Sequence, residues 1–172
     1  SGPWNASSHA TRSGRHPATP SSGCPARRAK GSMPSSGSAS PGWKCIRMLA
    51  KDFQEFVAFL NARGVEYLVV GGYAMAFHGR PRFTGHLDIR ISRPPENAAR
   101  LVEALRDFGF GAVGLTVEEF TTPDRVVQLG YPPFRIDLLT DIDGVGFADA
   151  WPRRERIEHD GIPFHFIGVG DP

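Results

Sequence analysis

Residues 69–90 read VVGGYAMAFHGRPRFTGHLDIR. An apolar, strand-like run ends at Gly71-Gly72, and the short helix-like segment YAMAFHG follows. A strand that enters a helix through glycines leaves backbone N–H groups unpaired at the helix start. Glycine lets a phosphate approach them, and the helix dipole favours the anion. Two common phosphate-binding patterns are missing. Gly72 is followed by Tyr73, Ala74, Met75 and Ala76, which breaks GxGxxG, and no Gly-Lys-Ser/Thr comes after it.

The segment closes on HLDIR, which reads as a second strand. Alternation puts His86 and Asp88 on one face, roughly 7 Å apart, and turns Leu87 and Ile89 into the core. Two oxygen ligands so spaced can hold divalent ions about 4 Å apart. Asp88 is otherwise a solvent-facing or turn-capping acid. A second aspartate sits in similar company, since FRIDLLT places Asp137 between Ile136 and Leu138. Aspartate is depleted in strands, so two of them in aliphatic runs ask for a reason. If the two strands are neighbours, Asp88 and Asp137 face each other and repel unless a cation lies between them.

The surrounding sequence supplies a frame for these strands. DFQEFVAFLNARG has Phe53, Phe56, Val57 and Leu60 at helical spacing and Gly64 to end the helix. VEYLVVGG is a short buried strand. Pro94 and Pro95 open a helix through PENAARLVEALRDFGF, with Leu101, Val102, Leu105 and Phe108 on one side. DRVVQLG and FRIDLLT are strands joined by a Tyr-Pro-Pro turn. FADAW is a short helix, and two last strands meet at Asp160-Gly161. The order α-β-α-β-α-β-β-α-β-β predicts an α/β (α+β) domain, a mixed sheet flanked by helices.

The first 47 residues differ in kind. They are rich in Ser, Gly, Pro, Ala and Arg, with few large apolar side chains. They read as a disordered basic tail, residues 1–47, ahead of a domain over 48–172, and MLAKDFQEFVAFL from Met48 reads like a natural domain opening. Residues 1–50 carry seven Lys/Arg and no acid, while the remainder holds the other 13 basic and all 18 acidic side chains. The basic end is a solvated tail or a contact for RNA or an anionic surface. Cys24 and Cys45 are the two cysteines, so no disulfide or Cys-based zinc framework supports the later part, and a reducing cytoplasm is the default. No apolar run is long enough for a membrane span.

Taken together, the segment 51–167 resembles the nucleotidyltransferase superfamily with the polymerase-beta-type fold, and within it the small prokaryotic AbiE-type toxin and related groups. The resemblance rests on Val69-Val70-Gly71-Gly72, a thirteen-residue spacer 73–85, the GRPRFT lead into Leu87-Asp88-Ile89, and Arg135-Ile136-Asp137-Leu138-Leu139. That pattern implies Asp–apolar–Asp on the second strand and a third Asp later. Counted from the glycines, His86 holds the first acid's place and Asp88 the second. If Asp88 were the first acid, the spacer would be too long and Arg90 would stand at the second.

The resemblance implies a transfer of NMP from a nucleoside triphosphate to an acceptor hydroxyl on a protein, a tRNA end or a small molecule. Gly71 and Gly72 would hold the triphosphate. His86, Asp88 and Asp137 would hold Mg²⁺, or Mn²⁺, with Asp88 and Asp137 the catalytic carboxylates. His86 weakens that expectation. Mg²⁺ wants hard oxygen ligands, whereas imidazole suits Mn²⁺ or Zn²⁺. The alternative is a catalytically inactive nucleotide-binding or interaction module with an antitoxin-type protein partner. The chain stops at FIGVGDP, where the resemblance implies further helices, so a truncated domain with exposed apolar surface and dimerisation is expected.

Other polar residues carry weaker expectations. Arg82, and less so Arg80, would meet phosphate as a guanidinium does, or stay solvated. Thr84 would touch phosphate or cap. Tyr73 would lie by the nucleotide or simply pack. His78 reads as a helix-end cap and His165 as solvent-facing. Asp141 and Asp143 in TDIDG imitate acid–x–acid but read as a turn.

Overall fold

A computed structural model of the chain describes residues 49–80, 84–131 and 134–170. The tail 1–47, Met48, both cysteines, Arg82 and the two prolines of the Tyr-Pro-Pro turn lie outside the described residues.

The elements run α1 (Lys51–Ala62), β1 (Tyr67–Val70), α2 (Gly71–Phe77), β2 (His86–Ile91), α3 (Pro95–Leu105), α4 (Val117–Thr121), β3 (Val126–Leu129), β4 (Arg135–Leu139), α5 (Phe147–Ala150), β5 (Glu155–His159) and β6 (Ile162–Phe166). The class is the mixed α/β expected. Six strands form one sheet in the order β3-β4-β2-β1-β6-β5. β2 runs parallel to β4, and β1 parallel to β6. The other neighbouring pairs are antiparallel.

The helical spacing in α1 has its predicted consequence. Phe53, Phe56, Val57 and Leu60 are all 1% exposed or less and belong to the one core. The helix ends where Gly64 takes a left-handed φ of 63°, with its N–H donating to the Asn61 carbonyl. Strand alternation also holds, since Leu87, Ile89, Ile136 and Leu138 are fully buried with them.

Asn97 ties α3 to the sheet. It is 1% exposed. Its Oδ1 accepts the Glu66 N–H at 2.7 Å, and its Nδ2 donates to the carbonyls of Glu66 and Ser92. One side chain thereby satisfies the backbone at the start of β1 and the end of β2, where an unpaired group would be costly. Its polarity gave no hint of this in the sequence.

Two departures from the sequence reading have physical reasons. The helix after Pro95 does not run on smoothly to Phe110. Its regular part ends at Leu105, and Gly109 breaks helical geometry with φ 116° inside the wider turns that follow. An additional helix, α4, was not anticipated. Thr116 and Glu119 form a capping box around its start, a signal readable in the sequence as Thr-x-x-Glu.

His165 also departs from expectation, because it does not simply face solvent. It lies between the rings of Tyr67 and Trp151, at centroid distances of 5.4 and 5.3 Å. Burial pushes its imidazole down to about 4, and the charges of Arg154 and Arg156 push the same way. Between the ordinary value near 6.5 and about 4, the unfolded chain takes up a proton that the folded one refuses. The resulting stability is complete above pH 6.5 and is lost as the pH falls through 4. Discounted for the ring's partial exposure, it amounts to about 1–2 kcal/mol. Denaturant melts at pH 7.5 and 4.5 should therefore differ by that much more in the native chain than in His165→Gln. Equal differences would refute the assignment.

Candidate metal centre

The site is built by register. β2 and β4 pair in parallel with Asp88 directly opposite Asp137 and His86 opposite Arg135. On the other side of β2, Val70 is the partner of Asp88. Residues paired in this way share a face, so the first half of β2 and the start of β4 present one polar row, bordered by Val70 at the end of β1.

His86, Asp88 and Asp137 each offer one ligand atom, all within 4.8 Å of one another. The structure thus brings the three together, since the two strands are neighbours and the carboxylates share a face. His86 Nε2 lies 3.3 Å from Asp88 Oδ1. Asp137 is 6% exposed and is met by Arg135, with Nε 2.9 Å from Oδ1 and Nη2 donating to Oδ2 at 2.9 Å. Burial raises the Asp88 carboxyl above its ordinary value, and the Asp137 charge adds to the rise. His86, the Gly72 N–H and Arg135 oppose it. The net effect is a carboxyl that is harder to ionise than an exposed one.

The glycines are explained by this carboxylate. Gly71 has φ 64°, and a Cβ there would fall inside contact with Asp88 Oδ2 and 2.8 Å from its Cγ. A Cβ on Gly72 would lie 2.8 Å from Thr84 Cβ. Both positions must be bare for β2 to pack under the β1–α2 turn, and the Gly72 N–H is engaged by Asp88.

The remaining candidates fall into different places. Thr84 Oγ1 donates to the His86 carbonyl at 2.9 Å and so fixes the entry to β2. The Tyr73 ring meets Phe53 edge-on at 6.1 Å and packs against the core. Arg80 is exposed. His78 Nε2 lies 2.7 Å from the Ile167 carbonyl, tying the end of α2 to the residue after β6. Asp143 is exposed before Gly144, as a turn requires. Asp141 has a role beyond a turn, because it faces two arginines, Arg90 at 3.7 Å and Arg93 at 3.3 Å.

Sequence reasoning missed two residues. Arg135 was quoted only as part of a motif, yet its distance of two from Asp137 on a strand already put both on one face. Arg90 is 1% exposed, with Phe147 at 5.7 Å from its guanidinium, and its Nε and Nη1 have no hydrogen-bond partner among the described residues. Its position two residues after Asp88 placed it on the polar face, but nothing in the sequence pointed to its burial.

Compared with protein-family models, with curated proteins and with solved structures, the chain has no match. Its chemistry therefore has to be read from its own side chains. Among the described residues, no helix is long and apolar enough to cross a membrane. One imidazole and two carboxylates form a mixed nitrogen–oxygen donor set. Such a set fits a borderline first-row divalent cation better than Mg²⁺.

Proposed function

We propose that the chain is a metal-dependent nucleotidyltransferase-type protein that works on a nucleoside triphosphate, with Mn²⁺ preferred to Mg²⁺. The observation that carries this reading is the meeting of His86, Asp88 and Asp137 across the parallel β2–β4 pair, beside the glycine turn that ends β1. The reaction joins an acceptor hydroxyl oxygen to the α-phosphorus and releases pyrophosphate, while the hydroxyl proton passes to a base. A cation on His86, Asp88 and Asp137 would draw charge from the phosphate oxygens.

The chain's own groups orient that site. Asp88 is held by the Gly72 N–H and His86. Asp137 is held by Arg135, and Thr84 fixes the backbone that delivers His86. The acceptor is a hydroxyl of a protein, a tRNA end or a small molecule.

Incubation of the full chain with α-labelled triphosphates and candidate acceptors tests the reading. Label transfer and pyrophosphate release are expected with Mn²⁺ and should disappear in Asp88→Asn. Strong transfer with Mg²⁺ alone would contradict the metal preference. Absence of both transfer and nucleotide binding would end the proposal.

A second reading has its own support. The Asp137 charge is already met within the chain by Arg135. That favours a nucleotide-binding or partner-binding module without turnover, of the kind found in a toxin–antitoxin pair. Nucleotide binding without pyrophosphate release would select it.

A further inference from the structure

We infer that Arg135 occupies the charge position of a second cation, so that the cluster takes one divalent ion rather than a pair. The inference rests on the proposed reading of His86, Asp88 and Asp137 as a metal centre.

The geometry is that of a close ion pair carrying one hydrogen bond, from Nη2 to Oδ2. Nε and Nη2 of Arg135 each lie 2.9 Å from a different oxygen of Asp137. An ionised carboxylate has about four lone-pair sites; the guanidinium takes one on Oδ2 by hydrogen bond, and Oδ1 accepts none among the described residues. A lone pair therefore remains for one ion shared with Asp88 and His86. The guanidinium charge is permanent, since arginine does not lose its proton in proteins. The arginine is also well placed by its backbone, opposite His86 in the β2–β4 register and only 28% exposed at its side chain.

Charge then limits occupancy. Two carboxylates and one guanidinium, with a neutral imidazole, leave a single net negative charge. One divalent ion turns that into a single positive charge. A second ion, about 4 Å from the first in a two-metal site, would bring the cluster to three positive charges. That excess would have to be held by two carboxylates of which one is already engaged by Arg135. Repulsion between like charges at such distances is strong in a partly buried site. A protein that needs two ions would place a third carboxylate or a neutral ligand at 135, whereas a cation there does the neutralising work of the missing ion.

The test is a Mn²⁺ titration of the full chain followed by electron paramagnetic resonance, without nucleotide. The native chain should bind one Mn²⁺. Arg135→Gln should bind the first ion about tenfold more tightly and take up a second. Arg135→Lys, which keeps the charge but not the guanidinium, should stay at one. Circular dichroism establishes that each variant is folded. If Arg135→Gln does not fold, the native chain and Arg135→Lys still decide the matter through their ion counts.

Two ions on the native chain would overturn the inference. So would an unchanged count and affinity in folded Arg135→Gln, or no binding by the folded native chain. A single bound ion in a chain that transfers no nucleotide would overturn the proposed activity and leave the ion count standing.

Discussion

On the proposed reading, His86→Asp should let the chain use Mg²⁺, with Mg²⁺-supported transfer rising on the order of 100-fold, equivalent to about 2.7 kcal/mol of transition-state stabilisation. The reason is ligand chemistry. His86 supplies a nitrogen donor where Mg²⁺ requires oxygen. It shares a face with Asp88, and its Nε2 already lies 3.3 Å from Asp88 Oδ1, so a carboxylate at 86 would point at the same ion. The substitution has a second readout. Without metal, a third carboxylate beside Asp88 and Asp137 adds repulsion, so the variant should melt earlier than the native chain. Added Mg²⁺ should reverse that loss through mass action. A variant that gains neither Mg²⁺ activity nor Mg²⁺-dependent stability would show that position 86 is not a ligand.

Gly71→Ala should destabilise the fold by about 2–5 kcal/mol and, on the proposed reading, abolish metal binding at the same time. Part of the cost is conformational. The left-handed φ of 64° costs an L-residue about 1–2 kcal/mol. The rest is steric, because the added methyl would press on the Asp88 carboxylate, and forcing extra volume into a packed site costs about 1–3 kcal/mol. Gly64→Ala separates the two contributions. Gly64 has φ 63° and nothing within 4 Å of its absent Cβ, so that variant should lose only about 1–2 kcal/mol. Denaturant unfolding of both variants, with a Mn²⁺ titration of whatever remains folded, measures the difference. Equal losses in the two would mean that Asp88 moves aside at no cost, and the tight approach would then not define the site.

Legibility in the sequence followed the physical range of each interaction. α1 was readable because its apolar spacing and terminal glycine are local signals, and Phe53, Phe56, Val57 and Leu60 are buried as that spacing requires. Asp88 and Asp137 could be singled out because each is an acid flanked by aliphatic residues on a short strand. Their facing each other was conditional on β2 and β4 being neighbours. Nothing local encodes that pairing, and only the sheet order supplies it. The spacing of two put Arg135 on the face of Asp137, but the ion pair between them is a matter of rotamer, which spacing does not encode. Asn97 and Arg90 are polar residues buried by long-range packing, which no periodicity betrays. The glycines at 71 and 72 were legible as a turn. Their closest constraints come from Asp88 and Thr84 on the following strand and its approach, which a phosphate-based reading does not mention.

The parallel pairing of β2 with β4 has a kinetic consequence. A parallel pair cannot close through a tight turn, and here α3, α4 and β3 all lie between its two members in the chain. The loop-closure entropy of that long connection must be met before the pairing contributes any stability, so the step belongs late in assembly. Asp88 and Asp137 meet only when it is complete. A partly assembled chain thus keeps its two carboxylates apart, and an ion that binds them both slows unfolding without helping the chain to find its fold.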